Sequence, residues 1–270
     1  MKSAIHALLA LTLAAQDQPT RQIFDTTLKA KRPQASGKPA PKPAAPPKGS
    51  QVGVTLWNMR PSRPQDTREI RMLVHQDGGA GVELTPERIA ADTPLQVGQR
   101  VRISVESAAP GHLYIIDREV YADGTASKPM LIFPTTRLRG GNGFVKAGVL
   151  VEIPEPGNGV YTIERKRKDQ VSEKLTILVS PAPIAELKIT SEAQELDEAK
   201  VALWEKQWQA KTFKSEAKEL EGKVYTVEEM QAASGAKLLT SDGPAPQTMY
   251  QIDNRPGKPV LLHVPLRIKP

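Results

Sequence analysis

The chain of 270 residues contains no cysteine. Disulfide bonds, thiolate nucleophiles and cysteine-ligated zinc or iron–sulfur centres are therefore excluded. Aromatic residues make up only 4% of the chain, although the hydrophobic fraction is 39%, so a folded core must be mainly aliphatic. No apolar run reaches the roughly 20 residues that a membrane-spanning helix needs, and we expect no transmembrane helix in the mature chain.

Positive charge is abundant, but it is concentrated in one segment. The formal net charge of the chain is +7. Residues 1–28 are balanced, and residues 29–50 contain no acid but have the cations Lys29, Lys31, Arg32, Lys38, Lys42 and Lys48. Residues 51–270 are therefore close to neutral. Because the basicity lies outside the part of the chain with a folding pattern, we expect no nucleic-acid partner.

The N-terminus has the pattern of a secretory signal. Lys2 precedes the short apolar run Ala4–Leu13, and the small residues Ala14 and Ala15 follow it. We predict a signal peptide over residues 1–15 and export to the periplasm, the cell exterior or the cell wall. An amphipathic helix is the alternative, but the run has no charged residue that would form a polar face.

Residues 16–50 are predicted to be a disordered Pro/Ala/Lys-rich linker. Its second part, residues 33–50, reads PQASGKPAPKPAAPPKGS. Repeated proline removes backbone donors and favours an extended chain, which acts as a semi-rigid spacer. A basic spacer suits attraction to an anionic cell-wall polymer, and a plain solubilising linker is the alternative.

Residues 51–190 show the pattern of an antiparallel β domain. Arg100–Ser107 alternates cleanly between apolar and polar residues, as a half-buried strand does. Other short apolar runs are separated by turn signals such as Asp123-Gly124 and Gly140–Gly143. The predicted fold class is mainly β, an antiparallel sandwich or barrel-like domain, with one or two packed helices towards the C-terminus.

Residues 191–270 are predicted to form a helical segment followed by a final strand in the same globular unit. Capping-box spacing occurs at Ser191 with Gln194 and at Thr226 with Glu229. The final strand is predicted at Val260–Val264, beside Val52–Trp57. Trp204 and Trp208 lie one helical turn apart, which favours packing of a helix onto a sheet; a stacking platform for sugar is the alternative.

The region Pro94–Ser180 has a distinctive order of motifs. These are LQVGQRVRISV at Leu95–Val105, GHLYII at Gly111–Ile116, the turn Asp123-Gly124, LIFP at Leu131–Pro134, and a strand that ends at Pro154. The region resembles the bacterial domain of unknown function 4384 (DUF4384). That resemblance implies a β-rich module found in exported proteins and beside kinase-like or caspase-like signalling domains, and it brings no catalytic residues. This chain departs from the family at His112, where tyrosine is usual.

Motifs of known enzymes are missing from the sequence. It has no His-Glu-x-x-His zinc motif, no Gly-x-Ser-x-Gly elbow and no Walker loop. We therefore predict a non-enzymatic binding module without cofactor, metal or catalytic residues, whose partner is another envelope protein or a cell-wall polymer. The alternatives are an envelope enzyme with Asp117, Glu119 and His112 in a cleft, and a structural wall-associated protein that binds through its basic linker.

Two charged segments are the candidate interaction surface. The basic run consists of Arg165, Lys166, Arg167 and Lys168, between two predicted strands, where it is expected to crown a hairpin and bind phosphates or an acidic partner. The acidic group consists of Asp117, Glu119 and Asp123, around the Asp-Gly turn, where carboxylates suit either a calcium ion or simple solvation. The sequence favours solvation for both.

Overall fold

The computed structural model describes residues 49–75, 81–137, 139–154, 159–255 and 257–270; the predicted signal and nearly all of the predicted linker lie outside them. The strands and helices, in chain order, are β1 (Ser50–Pro61), β2 (Met72–Val74), β3 (Val82–Ile89), β4 (Arg100–Ser107), β5 (Gly111–Tyr121), β6 (Met130–Phe133), β7 (Phe144–Val145), β8 (Val151–Ile153), β9 (Tyr161–Thr162), β10 (Gln170–Ser180), β11 (Gln194–Glu195), α1 (Glu198–Trp208), β12 (Thr212–Glu216), α2 (Val227–Ala233), β13 (Thr248–Ile252) and β14 (Val260–Arg267).

The first sheet, sheet I, is organised around β1. β4 pairs with one side of β1, whereas β13 and β3 pair with its other side, one beside each half of the strand. β12 then lies beyond β13 and β2 beyond β3, while β8 and β9 pair with the far side of β4. All these pairs are antiparallel, and they join strands from the beginning, the middle and the end of the described chain.

The second sheet, sheet II, has the order β11-β6-β5-β10-β14, with β7 also paired to β5. Its edge strand β14 contains Pro265. The Ile268 amide donates to Val171, so alternation along the strand turns the backbone of Pro265 away from β10. On the side that faces away from β10 the strand needs no amide donor at position 265. The edge strand therefore tolerates proline there, which a central strand does not.

The two sheets stack face to face around an aliphatic core. Inward residues alternate along β1 (Val52, Val54, Leu56) and along β4 (Val101, Ile103, Val105), and sheet II contributes the matching residues of β5, β10 and β14. Phe133 and Tyr250 are the buried aromatic residues of this cluster in the described part of the chain. The predicted mainly β, antiparallel sandwich is therefore confirmed, as is the position of the helices in the C-terminal half.

The helices cover the outer faces of the sandwich. α1 packs on sheet II through Val201 and Trp204, and α2 lies over sheet I. The capping box of Thr226 with Glu229 is formed, as predicted. The prediction of a second box at Ser191 is wrong: α1 begins at Glu198 and is capped by Asp197, whose carboxylate accepts from the Lys200 amide at 2.8 Å.

The pairing of the last strands differs from the prediction. β14 does not lie beside β1 but pairs with β10 in sheet II, and β13 is the neighbour of β1. The register explains this difference, because Val260, Leu262 and Val264 complete the core-facing rows of sheet II. Four strands were not predicted: β3, which contains Pro86, β12, which has no buried residue, and the two-residue strands β7 and β11.

Candidate functional site

Three carboxylates lie at one end of the sandwich core. Along β5, Asp117 and Glu119 continue the inward-facing row that begins with Leu113 and Ile115. Glu173 of β10 lies directly opposite Glu119 in the strand register. Because alternate residues of a strand share a face, the aliphatic core here gives way to an acidic cluster, which we define as Asp117, Glu119 and Glu173.

Residues from sheet I and from the crossover to sheet II close over this acidic cluster. The hydroxyl of Tyr161, on β9, donates a hydrogen bond to Glu173. The ammonium of Lys166 lies 2.9 Å from the Glu119 carboxylate, and the hydroxyl of Tyr121 donates to the same carboxylate at 3.0 Å. The cluster therefore links the two sheets, and it has one cation against three acids.

The ionisation of the cluster is strongly perturbed. Burial, followed by the charges of Glu173 and Glu119, raises the pKa of Asp117 to about 7 against the opposing effect of Lys166. Burial also raises the pKa of Glu173, although the Tyr161 hydrogen bond opposes the shift. The Oδ1 atom of Asp117 is enclosed and has no hydrogen-bond partner among the described residues. Asp117 can thus retain a proton near neutral pH.

The basic run does not crown a hairpin, so this prediction is wrong. β9 pairs with β4 in sheet I, whereas β10 belongs to sheet II, and the run is the crossover between the sheets. Arg165 donates to the backbone of Lys269, and Lys166 pairs with Glu119. The local sequence resembles a hairpin because the segments before and after the basic run are both extended. The first of them, β9, nevertheless pairs with sheet I through only two residues, and the second, β10, pairs within sheet II.

The rest of the basic run is divided between the fold and the solvent. The Arg167 guanidinium lies 3.6 Å from the centre of the Tyr121 ring and pairs with Asp169 at 2.7 Å. Lys168 is exposed. The four cations therefore do not converge on one point, and their arrangement does not form a phosphate-binding cradle of the predicted kind.

The remaining predicted residues lie apart from the acidic cluster. Asp123 is exposed in the turn after β5, where its carboxylate accepts bonds from the amide and hydroxyl of Thr125 at 2.9 and 2.6 Å. His112 contacts Phe144 edge-on at 5.4 Å. It precedes Asp117 by five strand residues, a separation of about 17 Å, and an odd separation places the two side chains on opposite faces. The structure therefore does not bring His112 to the acidic pair.

Potential metal ligands are not grouped in the described ranges. Within residues 49–75, 81–137, 139–154, 159–255 and 257–270, no set of three or more histidine, aspartate or glutamate side chains is arranged to hold a metal ion. In the acidic cluster, Lys166 and the Tyr121 hydroxyl contact Glu119, and the Tyr161 hydroxyl contacts Glu173.

A separate cleft lies where α1 ends. It encloses about 480 Å³ between the C-terminal turn of α1 and the connection from β13 to β14. We call it the Trp208 cleft, and the side chains that give it its chemical character are Gln207, Trp208, Gln209, Asp253, Arg255 and Lys258. Its volume is within the range of about 300–1,000 Å³ that is typical of small-molecule sites.

The two tryptophans of α1 have different roles. Trp204 is buried in the cluster between α1 and sheet II, as predicted for a core residue. Trp208, one turn later, is half-buried and stacks on Trp204 with 5.7 Å between ring centroids and 12° between ring planes. The inner ring thus fixes the outer ring, which forms part of the cleft wall.

Backbone contacts hold the opposite wall of the cleft. The Asp253 amide donates to the carbonyl of Lys211 at 2.8 Å. The Asn254 side chain accepts from the Ser50 amide at 2.9 Å and donates to the Lys258 carbonyl at 3.2 Å. This wall is therefore joined to Lys211, between α1 and β12, and to Ser50, the first residue of β1.

Two functional candidates could not be predicted from the sequence, for the same reason. Glu173 in the acidic cluster and Arg255 in the cleft have no local signal that separates them from ordinary surface charges. Arg255 and Lys258 do flank a proline-glycine turn, which predicts an exposed loop. Only the pairing of β13 and β14 shows that this loop faces Trp208.

Comparison with known proteins adds no relative. No family model, no curated protein and no solved structure matches the chain. Among the described residues, no helix combines the length and the apolar character needed to cross a bilayer.

Proposed function

We propose that the protein is a non-enzymatic, exported binding module of the bacterial envelope, and that its ligand occupies the Trp208 cleft. The observation that supports this proposal is the cleft itself, where a fixed aromatic ring meets amide and charged side chains in a volume suited to a ligand. The resemblance of Pro94–Ser180 to DUF4384 and the signal-like N-terminus supply the expectation of export.

The test is site-specific photocrosslinking in the native bacterium. A benzoylphenylalanine is placed at Gln209 in the full chain, with a matched probe at Leu73, which is exposed on β2 and is not part of the cleft. We expect a discrete adduct from position 209 and none from position 73, identified by mass spectrometry after capture. Equal adducts from both positions, or none from position 209, would contradict a ligand site in the cleft.

Export is tested on the same captured protein. Cleavage after Ala14 or Ala15 predicts a mature N-terminus at residue 15 or 16, recovered outside the cytoplasm. Mass spectrometry of the intact protein measures this directly. A protein that retains Met1 or lacks only Met1, and that fractionates with cytoplasmic markers, would contradict the exported location.

One observation favours an enzyme as a second candidate. Asp117, with a pKa near 7, has the ionisation of a general acid or base, and two further carboxylates lie beside it. Hydrolysis of purified cell-wall or peptide substrates that Asp117→Asn abolishes would establish this activity. An unchanged rate in the variant would assign the activity to another site or to a contaminant.

A further inference from the structure

Strand β12 forms one edge of sheet I. One side of β12 pairs with β13, and in the described part of the chain no strand pairs with its other side. Each of its residues, Thr212–Glu216, is exposed or half-buried. Because the open side of an edge strand carries unpaired backbone donors and acceptors, β12 is a template to which a further strand can be added.

Hydrogen bonds at both ends of β12 determine which backbone groups point to its open side. The Asp253 amide donates to the Lys211 carbonyl, and the Ala217 amide donates to the Gln247 carbonyl. Since backbone groups alternate in direction along an antiparallel strand, the odd-numbered residues of β12 bond to β13. The amides and carbonyls of the even-numbered residues therefore point outward, where another strand can pair with them.

The charges of β12 match a second copy of the same strand. Lys214 lies opposite Tyr250 of β13, whose ring belongs to the core, so Lys214 and Glu216 share the core-facing side of β12. The Lys214 ammonium lies 2.7 Å from the Glu216 carboxylate and 3.8 Å from that of Asp92. If two β12 strands pair antiparallel with Ser215 on the two-fold axis, each Lys214 faces the Glu216 of the other copy. Opposite charges on facing residues stabilise a strand pair.

Other registers of such a pair are less favourable. An axis between two residues sets even-numbered residues against odd-numbered ones, whose backbone groups already bond to β13. An axis on Lys214 or on Glu216 brings two like charges opposite each other, which is destabilising. An axis on Phe213 sets Lys214 against Thr212 and joins no opposite charges. The register about Ser215 combines the ladder of hydrogen bonds with two facing ion pairs.

We propose that the protein forms a two-fold symmetric dimer in which β12 pairs antiparallel with β12 of a second copy about Ser215. The same patch of both copies forms the interface, as two-fold symmetry requires, and sheet I continues across the axis. A lysine on the core-facing side of an edge strand ordinarily prevents strand addition. Here Glu216, two residues after Lys214, makes the edge complementary to itself.

The dimer has a consequence for the Trp208 cleft. Ala210 is part of the cleft and precedes Ser215 by five residues, so the two clefts of a dimer lie within roughly 34 Å of each other. A partner with two copies of the recognised group can then occupy both clefts, and its binding is strengthened by the linkage. This consequence rests on the proposed function, whereas the strand pairing does not.

Single-cysteine variants test the register directly, because the chain has no cysteine of its own. In the proposed dimer Ser215 faces its counterpart in a non-hydrogen-bonded pair, where Cα atoms are about 4.5 Å apart and a disulfide can form. Under mild oxidation Ser215→Cys should give a disulfide-linked dimer. Phe213→Cys and Leu73→Cys, at exposed strand positions, should not. Linkage at position 213 and not at 215, or equal linkage of all three variants, would overturn the proposal.

Charge reversal tests the ion pairs, with sedimentation velocity of the full chain as the measure of the dimer Kd. Lys214→Glu and Glu216→Lys should each raise this Kd at least about tenfold, because like charges then face each other twice. The double variant Lys214→Glu/Glu216→Lys restores opposite charges, and its Kd should return to within about fivefold of the wild-type value. Circular dichroism checks that each variant is folded. A double variant no tighter than the single variants would contradict the facing ion pairs.

Lys214→Thr separates pairing from protection of the edge. If Lys214 only prevents strand addition, its removal should strengthen self-association; in the proposed dimer its removal takes away two ion pairs and weakens self-association. A tighter dimer in Lys214→Thr, or a wild-type chain that stays monomeric up to about 1 mM, would overturn the proposal. Because no ligand is present in these measurements, either result leaves the Trp208 cleft to be judged by its own crosslinking test.

Discussion

The Asp117→Asn substitution tests whether the acidic cluster stores a proton. In the folded protein, burial and the neighbouring charge of Glu173 raise the pKa of Asp117 from 3.8 to about 7. In the unfolded chain this carboxyl titrates at its ordinary value. Between these two pKa values the folded protein binds more protons than the unfolded chain, so the free energy of unfolding falls as the pH rises. Below pH 4 this stabilisation is complete, and above pH 7 it is lost.

The size of the effect follows from the two pKa values. Between pH 5 and pH 8, proton linkage predicts that the wild type loses about 2.5 kcal/mol of unfolding free energy through this group. Asparagine has nearly the same shape as aspartate and cannot ionise, so the variant loses no unfolding free energy through this position between pH 5 and pH 8. At pH 5, where Asp117 is mostly protonated, the two proteins should have similar stability. At pH 8 the variant should be more stable by about 2.5 kcal/mol.

The assay is urea unfolding of both proteins at pH 5 and pH 8, followed by circular dichroism. Asp242→Asn is the control, because Asp242 is an exposed aspartate and its replacement should have the same small effect at both pH values. Since Glu173 is coupled to Asp117, the measured titration belongs to the pair. A difference between Asp117→Asn and wild type that changes by less than about 0.5 kcal/mol from pH 5 to pH 8 would refute the reasoning.

Three further substitutions test the packing around both sheets, each by urea unfolding. Gly53→Ala should destabilise the fold by about 1–3 kcal/mol, because the new methyl group would lie 2.2 Å from Pro246 Cγ; an unchanged midpoint would show that this contact relaxes. Arg88→Met should lower the free energy of unfolding by about 3–5 kcal/mol, because it leaves the buried Glu229 carboxylate without its cationic partner. In a Glu229→Gln background the same substitution should lower it clearly less, and an equal loss in both backgrounds would argue against the ion pair. Trp204→Ala should cost about 3–5 kcal/mol through the cavity that it leaves, and a cost below about 1 kcal/mol would contradict its role in the core.

Local patterns predicted those parts of the fold that depend on neighbouring residues. The alternation of Arg100–Ser107 predicted the strand and its core-facing residues, and the spacing of Thr226 and Glu229 predicted the start of a helix. The expectation that only one face of this strand is buried is wrong, because Arg102, Ser104 and Glu106 on its other face are buried as well. The strand β3 was missed because Pro86 interrupts its pattern, and β12 was missed because it has no buried face. Ser191 had the spacing of a cap, but Asp197 supplied the cap that forms.

By itself, the sequence determined an aliphatic, antiparallel β protein with helices near its C-terminus, because composition and periodicity act within a few residues. Only the tertiary structure decided that Tyr161 meets Glu173, that Lys166 meets Glu119, and that Arg255 and Trp208 line one cleft. Those contacts depend on which strand joins which sheet and in which register. Register is set by the complete core rather than by the segment itself, so residues far apart in the sequence meet without any local signal.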